Sequence, residues 1–270
     1  MRATVVSRLR QPIRRSTLET VVDLRQRVMR RVNNGWLRFS PDMPVFVICR
    51  DRVTPLRQLV AWLEEEGLRN IVLVDNDSTY PPLLTLYAET KHRVLKLNRN
   101  VGATSPWLPE VIGTHARRGP FIVTDPDVLP VEGSRGAIKH FIRLLNRYPG
   151  YIKAGFGLKI DHLPAHYDLS GQVVSWETQM WAKEIGPGIF QAPIDTTLAV
   201  YRPGTPYAIG PALRTGPPFV ARHEPWYLDS RDPGDEVRYY RDRAARGSAT
   251  WGTSATDSAH SMYDSPADES

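Results

Sequence analysis

From Pro44 onward the apolar residues of this chain follow two alternating rhythms. Short runs of four or five, rich in Val and Ile, occur at Val45–Cys49, Ile71–Val74, Val94–Leu97 and Phe121–Thr124. Runs of this length, bounded by polar turns, predict buried strands. Between them the spacing becomes helical. Leu56, Leu59, Val60 and Leu63 recur at i, i+3, i+4 and i+7. Thr54 is the expected N-cap, Pro55 takes the first helical position, and Gly67 ends the helix. Pro81–Glu89 and Trp107–Arg117 read as further helices. Short strands alternating with helices predict a parallel sheet covered on both faces.

Beyond Asp127 the rhythm loosens. Ser134–Arg147 is expected to be a helix, with Ile138, Phe141, Ile142 and Leu145 on one face. Tyr151–Ile160 reads as a strand with Gly155 and Gly157 inside it, Val173–Lys183 as a helix and Thr196–Tyr201 as a strand. Residues 203–225, rich in Pro and Gly, are expected to be mostly loop. Two end segments differ from this domain of residues 43–246. Residues 1–42 hold ten Arg against Glu19, Asp23 and Asp42, with Val21, Leu24, Val28 and Val32 at helical spacing. That pattern predicts a basic, weakly amphipathic helix suited to an anionic membrane face. From Gly247 the chain has no Lys or Arg, few large apolar residues and several Asp, Glu and Ser, and is expected to be a disordered acidic tail.

Composition narrows the class only slightly. The formal charge of +6 suits nucleic acid, anionic lipid or a phosphorylated substrate alike. A single cysteine, Cys49, excludes a disulfide framework within the chain and fits a reducing compartment. No stretch has the apolar length of a transmembrane helix, and the basic N-terminus lacks the apolar core of a secretory signal. The expected location is the cytoplasm, peripheral on the inner face of the membrane through the Arg-rich segment.

In open α/β sheets the ligand lies beyond the carboxyl ends of the strands. Here those ends carry Cys49-Arg50-Asp51, Asp75-Asn76-Asp77-Ser78, Asn98-Arg99-Asn100-Val101-Gly102 and Asp125-Pro126-Asp127. Carboxylates converging on one edge need cations or hydrogen-bond donors to coexist. Two carboxylates two residues apart suit Mn²⁺ or Mg²⁺, which prefer oxygen ligands and share them with substrate phosphates. Asp-Pro and Pro-Asp are also ordinary turn dipeptides, and Asp75 and Asn76 suit an Asx turn. Arg99 is suited to pair with phosphate, and Gly102 lets backbone approach a ligand.

Taken in order, these elements resemble the family 2 glycosyltransferases of the GT-A type over residues 44–130. The resemblance rests on the acidic Asp75–Ser78 element, the Asn100–Gly102 loop, and the Asp125, Asp127 pair about 50 residues after Asp75. It implies a Rossmann-like mixed sheet flanked by helices, and transfer of a sugar from a UDP-, dTDP- or GDP-linked donor to a saccharide or lipid-linked acceptor, with inversion. It also implies that Asp75 meets the nucleobase and that Asp125 and Asp127 serve the sugar nucleotide and the metal. Cys49, Arg50, Asn76, Arg99, Asn100 and Gly102 complete the expected donor-binding set. His223, in a Pro-rich flank, is the expected third metal ligand. The Glu-Asp pair that many members carry near the acceptor is missing after Asp127. Asp195 is the first choice for the catalytic base and Glu177, between Trp176 and Trp181, the second. Either Trp would stack on a sugar or pack in the core. Arg214, Arg222 and Tyr227 are within the range of residues that would reach the diphosphate.

Rival classes carry different signatures. No G-x-x-x-x-G-K-[ST] or G-x-G-x-x-G is present, which disfavours a P-loop enzyme and a nicotinamide-binding domain. A nucleotidyltransferase would need a Gly-rich basic loop after the first strand, where Arg50–Thr54 has no Gly. A basic module binding membrane or nucleic acid without catalysis would leave the acidic edge unexplained, and nucleic acid is not an expected partner.

Overall fold

The structure is a computed structural model that describes residues 36–113 and 119–243. The N-terminal basic helix, the acidic tail and the end of the Trp107–Arg117 helix lie outside the described residues. The compact unit that starts at Leu37 is built on a ten-stranded mixed sheet flanked by helices. Its first half follows the predicted alternation: β1 (Val45–Cys49), α1 (Thr54–Glu65), β2 (Ile71–Asp75), α2 (Pro81–Glu89), β3 (Arg93–Lys96), α3 (Pro109–Ile112) and β4 (Phe121–Thr124). After these come β5 (Val128–Pro130), α4 (Ala137–Arg147), β6 (Lys153–Leu158), α5 (Ser170–Thr178), β7 (Glu184–Gly186), β8 (Ile189–Gln191), β9 (Ala199–Tyr201), β10 (Ala212–His223) and α6 (Asp235–Arg243).

The strand order is β3-β2-β1-β4-β9-β6-β10-β8-β7, with β5 pairing β10. Strands β1 to β4 are mutually parallel, whereas β9 runs antiparallel to both β4 and β6. The parallel arrangement expected of the first half therefore ends at β4, and the sheet as a whole is mixed. The order reverses between β1 and β4, which places a crevice beyond their carboxyl ends. Alternation along β1 divides the core. Val45, Val47 and Cys49 pack with Leu56, Leu59 and Leu63 of α1, while Phe46 and Ile48 pack with Val72, Val74, Phe121 and Val123 on the other face.

Several boundaries depart from the sequence reading, each for a local reason. Val53 is the N-cap of α1, not Thr54, and the cap is supplied from a distance by Glu236. Pro106, Pro109 and the positive φ of Gly113 break the expected Trp107 helix into a 3-10 turn over Gly102–Trp107 and the single-turn α3. The α5 helix stops at Thr178 and passes through a 3-10 turn into β7. The segment 203–225 is not mostly loop, because Ala212–His223 forms the long strand β10. Gly216, Pro217 and Pro218 fall where its register against β6 shifts, between Thr215 and Val220, so they cost no regular ladder bonds. The glycines inside β6 reflect close approach. A Cβ on Gly155 would lie 2.4 Å from the Leu198 carbonyl, and one on Gly157 would lie 2.7 Å from the Trp181 ring and from the Thr215 carbonyl.

Candidate functional site

The parallel strands deliver their loops side by side. Cys49 is in register with Asp75, so the loops after β1 and β2 start level. Asp51 adopts a positive φ and is buried, and its Oδ1 accepts the Thr79 N–H at 2.7 Å and the Tyr80 N–H at 2.8 Å. That carboxylate caps the start of α2 and ties the two loops together. Asn76 performs a similar task. Its Nδ2 donates to Ser105 Oγ, its Oδ1 accepts the Val101 N–H, and its own N–H donates to the Cys49 carbonyl. Asp75 is buried, accepts the Ser78 N–H at 3.2 Å and receives the Tyr87 hydroxyl on Oδ1 at 3.0 Å. The Ser78 bond is local, from a residue three positions on, and the same N–H lies 3.4 Å from Oδ2, an oxygen that keeps further acceptor capacity. Cys49 is fully buried, and its thiol is pushed up by burial.

At the end of β4, Asp125 and Asp127 meet residues from far along the chain. The Thr196 hydroxyl donates to Asp125 Oδ2 at 2.6 Å, and the Asp125 N–H donates to the Thr196 carbonyl at 3.0 Å. Asp195, next to Thr196, is thereby brought beside Asp125. Burial first, then the charges of Asp127 and Asp195, hold the Asp125 carboxyl well above the usual carboxylate range, against the pull of Thr196. On the other side, β5 pairs antiparallel with the end of β10, His223 opposite Val128. The Glu224 N–H donates to the Asp127 carbonyl at 2.8 Å, and His223 Nε2 stands 3.8 Å from Asp127 Oδ1. That separation is too long for a hydrogen bond. His223 Nδ1 is buried with no hydrogen-bond partner among the described residues. Burial pushes the imidazole down from its ordinary value, opposed by Asp127 and reinforced by Arg52.

Arg52 is the cation of this group. Its side chain is 7% exposed and its NH2 lies 3.9 Å from Asp127 Oδ2. Its guanidinium carbon sits 4.5 Å from the Tyr240 ring centroid, and its buried Nε has no hydrogen-bond partner among the described residues. Arg50 donates to the Asn76 and Arg243 carbonyls.

Asp195 is held from two directions. Its carbonyl accepts from Lys153 Nζ at 3.1 Å and from the Tyr201 hydroxyl at 3.0 Å, while its Oδ1 accepts the Tyr207 hydroxyl at 2.8 Å. Lys153 is completely buried, and burial pushes its amine down to about 7. Asp195 does not open a strand. Residues 195–198 form a bend, and β9 begins at Ala199 because only there does pairing with β4 and β6 start.

The remaining expected site residues stand apart from this group. Arg99 pairs with Glu110 at 3.0 Å, both more than half exposed, and Asn100 Oδ1 accepts the Gly102 N–H as an ordinary turn. Glu177 is buried against Arg214, whose NH1 lies 2.6 Å from Glu177 Oε2 and whose Nε donates to the Pro193 carbonyl. Trp181 packs edge-on against Phe190 with centroids 5.1 Å apart, in keeping with core packing. Arg222 lies over Tyr227 and pairs with Glu224. Arg52, Lys153 and Tyr207 were not singled out by sequence. Only Arg52 carried a signal there, as a second cation in the loop after β1.

Among the described residues, no group of three or more His, Cys, Asp or Glu side chains is arranged to hold a metal ion. No helix among them is long and apolar enough to cross a membrane. Comparison with protein-family models, curated proteins and solved structures gives no match.

Proposed function

We propose that the chain is a glycosyltransferase of the GT-A type that takes a sugar from a nucleotide-diphosphate donor. One observation carries the reading. Asp125 and Asp127 leave β4 at the reversal of strand order and stand there with His223, Arg52 and Asp195, drawn from three other parts of the chain. A structural turn would have little use for a carboxyl, Asp125, whose charge is opposed by burial and then by Asp127, close to a buried histidine nitrogen with no hydrogen-bond partner among the described residues.

The residues fit a divalent cation shared with substrate better than one held by protein alone. Asp127 and His223 approach as a pair and Asp125 lies in the field of Asp127, while Mn²⁺ or Mg²⁺ ordinarily takes further ligands from phosphates and water. When bound there, such an ion would offset the negative charge that develops on the leaving diphosphate. Arg52 offers a buried planar cation to the same oxygens. Asp75 keeps an acceptor for the imide of a uracil or thymine. Asp195, with Tyr207 on one oxygen and its backbone fixed by Lys153 and Tyr201, is placed to take the acceptor hydroxyl's proton. Glu177 is the weaker choice, because its carboxylate is committed to Arg214. The Arg-rich stretch before the domain supports a saccharide or lipid-linked acceptor presented at an anionic membrane face.

Titration calorimetry with UDP, dTDP and GDP, with Mn²⁺ or with EDTA, tests this. Binding of one nucleotide only with the metal, abolished by Asp127→Asn, is expected. Equal affinity in EDTA would remove the metal from the reading. Absence of binding to all three would remove the donor.

A further inference from the structure

The carboxyl edge of the sheet is crossed by α6, the last described element, and its contacts fall on the loops that the donor reading assigns to the nucleotide. The Glu236 carboxylate accepts the Val53 N–H at 2.9 Å, the Thr54 N–H at 3.1 Å and the Thr54 hydroxyl at 2.7 Å. The Tyr239 hydroxyl donates to the Thr79 carbonyl at 2.9 Å, and its ring lies 4.9 Å from that of Tyr80. Tyr240 covers Arg52, and the Arg243 carbonyl takes a hydrogen bond from Arg50. The Tyr240 phenol lies in the field of Arg52, Asp127, Arg50 and Asp125 together, so it stands among the four charges of the site.

This attachment is polar and shallow. Val237 is the one buried aliphatic side chain of α6, and the rest of the helix is charged apart from the two tyrosines. A nine-residue helix does not hold its shape in water without packing, and segments with few buried apolar contacts open at low cost. The approach to it, Arg231–Gly234, is mostly exposed and ends in a glycine at φ +80°. Meanwhile the groups it covers are under-used. Arg52 has a buried Nε with no partner among the described residues and presents a ring-covered face to Tyr240, where a diphosphate would give it paired, charge-assisted bonds.

We propose that α6 is an intramolecular occupant of the donor seat: a strap latched by Glu236 whose Tyr240 covers Arg52 until a nucleotide diphosphate displaces it. The proposal rests on the donor reading above and adds its regulation. A seat filled by the chain's own helix binds ligand in proportion to the fraction of molecules in which the strap is lifted. Loosening the latch therefore raises affinity, whereas a helix that forms part of the binding wall would lose affinity when loosened.

The test uses the full chain, Glu236→Ala, and Tyr240→Leu as a second variant that keeps the latch. Amide exchange is followed by mass spectrometry over residues 50–56 and 235–243, and Mn²⁺-UDP, Mn²⁺-dTDP and Mn²⁺-GDP are titrated in turn. Glu236→Ala is expected to speed exchange in both segments without ligand and to tighten nucleotide binding about tenfold, and Tyr240→Leu to tighten it by a smaller factor. Saturating nucleotide should speed exchange of 235–243 in the unaltered chain. Slower exchange of α6 with nucleotide, or unchanged or weaker affinity in the opened variants, overturns the strap while leaving the donor reading intact. No binding by any variant, even with α6 open, overturns the donor reading and the strap with it.

Discussion

Replacing Glu177 by Ala would leave the Arg214 guanidinium buried without its anion. The pair is short, 2.6 Å, and the two side chains are only 6% and 7% exposed, so solvent offers little compensation. Arg214 would keep one bond, from Nε to the Pro193 carbonyl at 2.8 Å. Removing one partner of a buried pair costs about 3–5 kcal/mol, because the survivor keeps its desolvation penalty. At roughly 2–4 °C per kcal/mol for a domain of this size, the melting temperature should fall by about 6–20 °C. Removing both charges, as in Glu177→Met with Arg214→Met, should recover most of that loss, giving a coupling of about 2–3 kcal/mol in a double-mutant cycle. Urea denaturation of the parent, Glu177→Met, Arg214→Met and their double variant, with Glu177→Ala alongside, measures it. A loss below about 1 kcal/mol in Glu177→Ala, or strict additivity in the cycle, would refute the structural role. The outcome bears on chemistry as well, since a Glu177 variant that loses turnover through unfolding says nothing about a general base. Asp195→Asn, by contrast, is expected to remove turnover at nearly unchanged donor affinity.

Three further outcomes follow from the site's electrostatics and its loops. Lys153 has a folded-state pKa lowered from 10.5 to about 7, so the unfolded chain binds more protons between those values and stability rises with pH there, by about 1.4 kcal/mol per unit at most. Lys153→Met should flatten that slope in urea titrations from pH 7 to 9, and an unchanged slope would count against the assignment. Asp125 has a raised folded-state pKa, so stability falls as pH climbs from 3.8 through that value, and the cost is fully present above it. Asp125→Asn should therefore melt higher than the parent at pH 8, with the advantage gone below pH 3.8, while losing metal-dependent nucleotide affinity; a lower melting temperature at pH 8 would contradict this. Asp51→Ala should cost about 1–2 kcal/mol, because two part-buried N–H groups just before α2 lose their acceptor, and a change within ~0.5 kcal/mol in denaturant unfolding would argue against that cap.

The parallel half of the sheet was legible in the chain itself. Val45–Cys49, Ile71–Asp75 and Phe121–Thr124 are buried throughout, and the helix pattern at Leu56, Leu59 and Leu63 is the face that meets them, because burial selects apolar residues at the period of each element. The positions of the loops at the strand ends, including Asp125-Pro126-Asp127, followed from the same pattern. What lies opposite those loops did not. Strand β10 looks like a loop in composition, since its Gly-Pro-Pro falls on a register shift that only pairing with β6 defines. Glu177 and Asp195 are equivalent as isolated carboxylates, and only the folded chain sets one against Arg214 and the other against Asp125. Arg52 and Tyr240 are 188 positions apart, Asp127 and His223 are 96 apart, and no local propensity connects them. Hydrophobic periodicity specifies which side of an element is buried, but the partners of a charge are chosen by strand order and register, which are properties of the whole sheet.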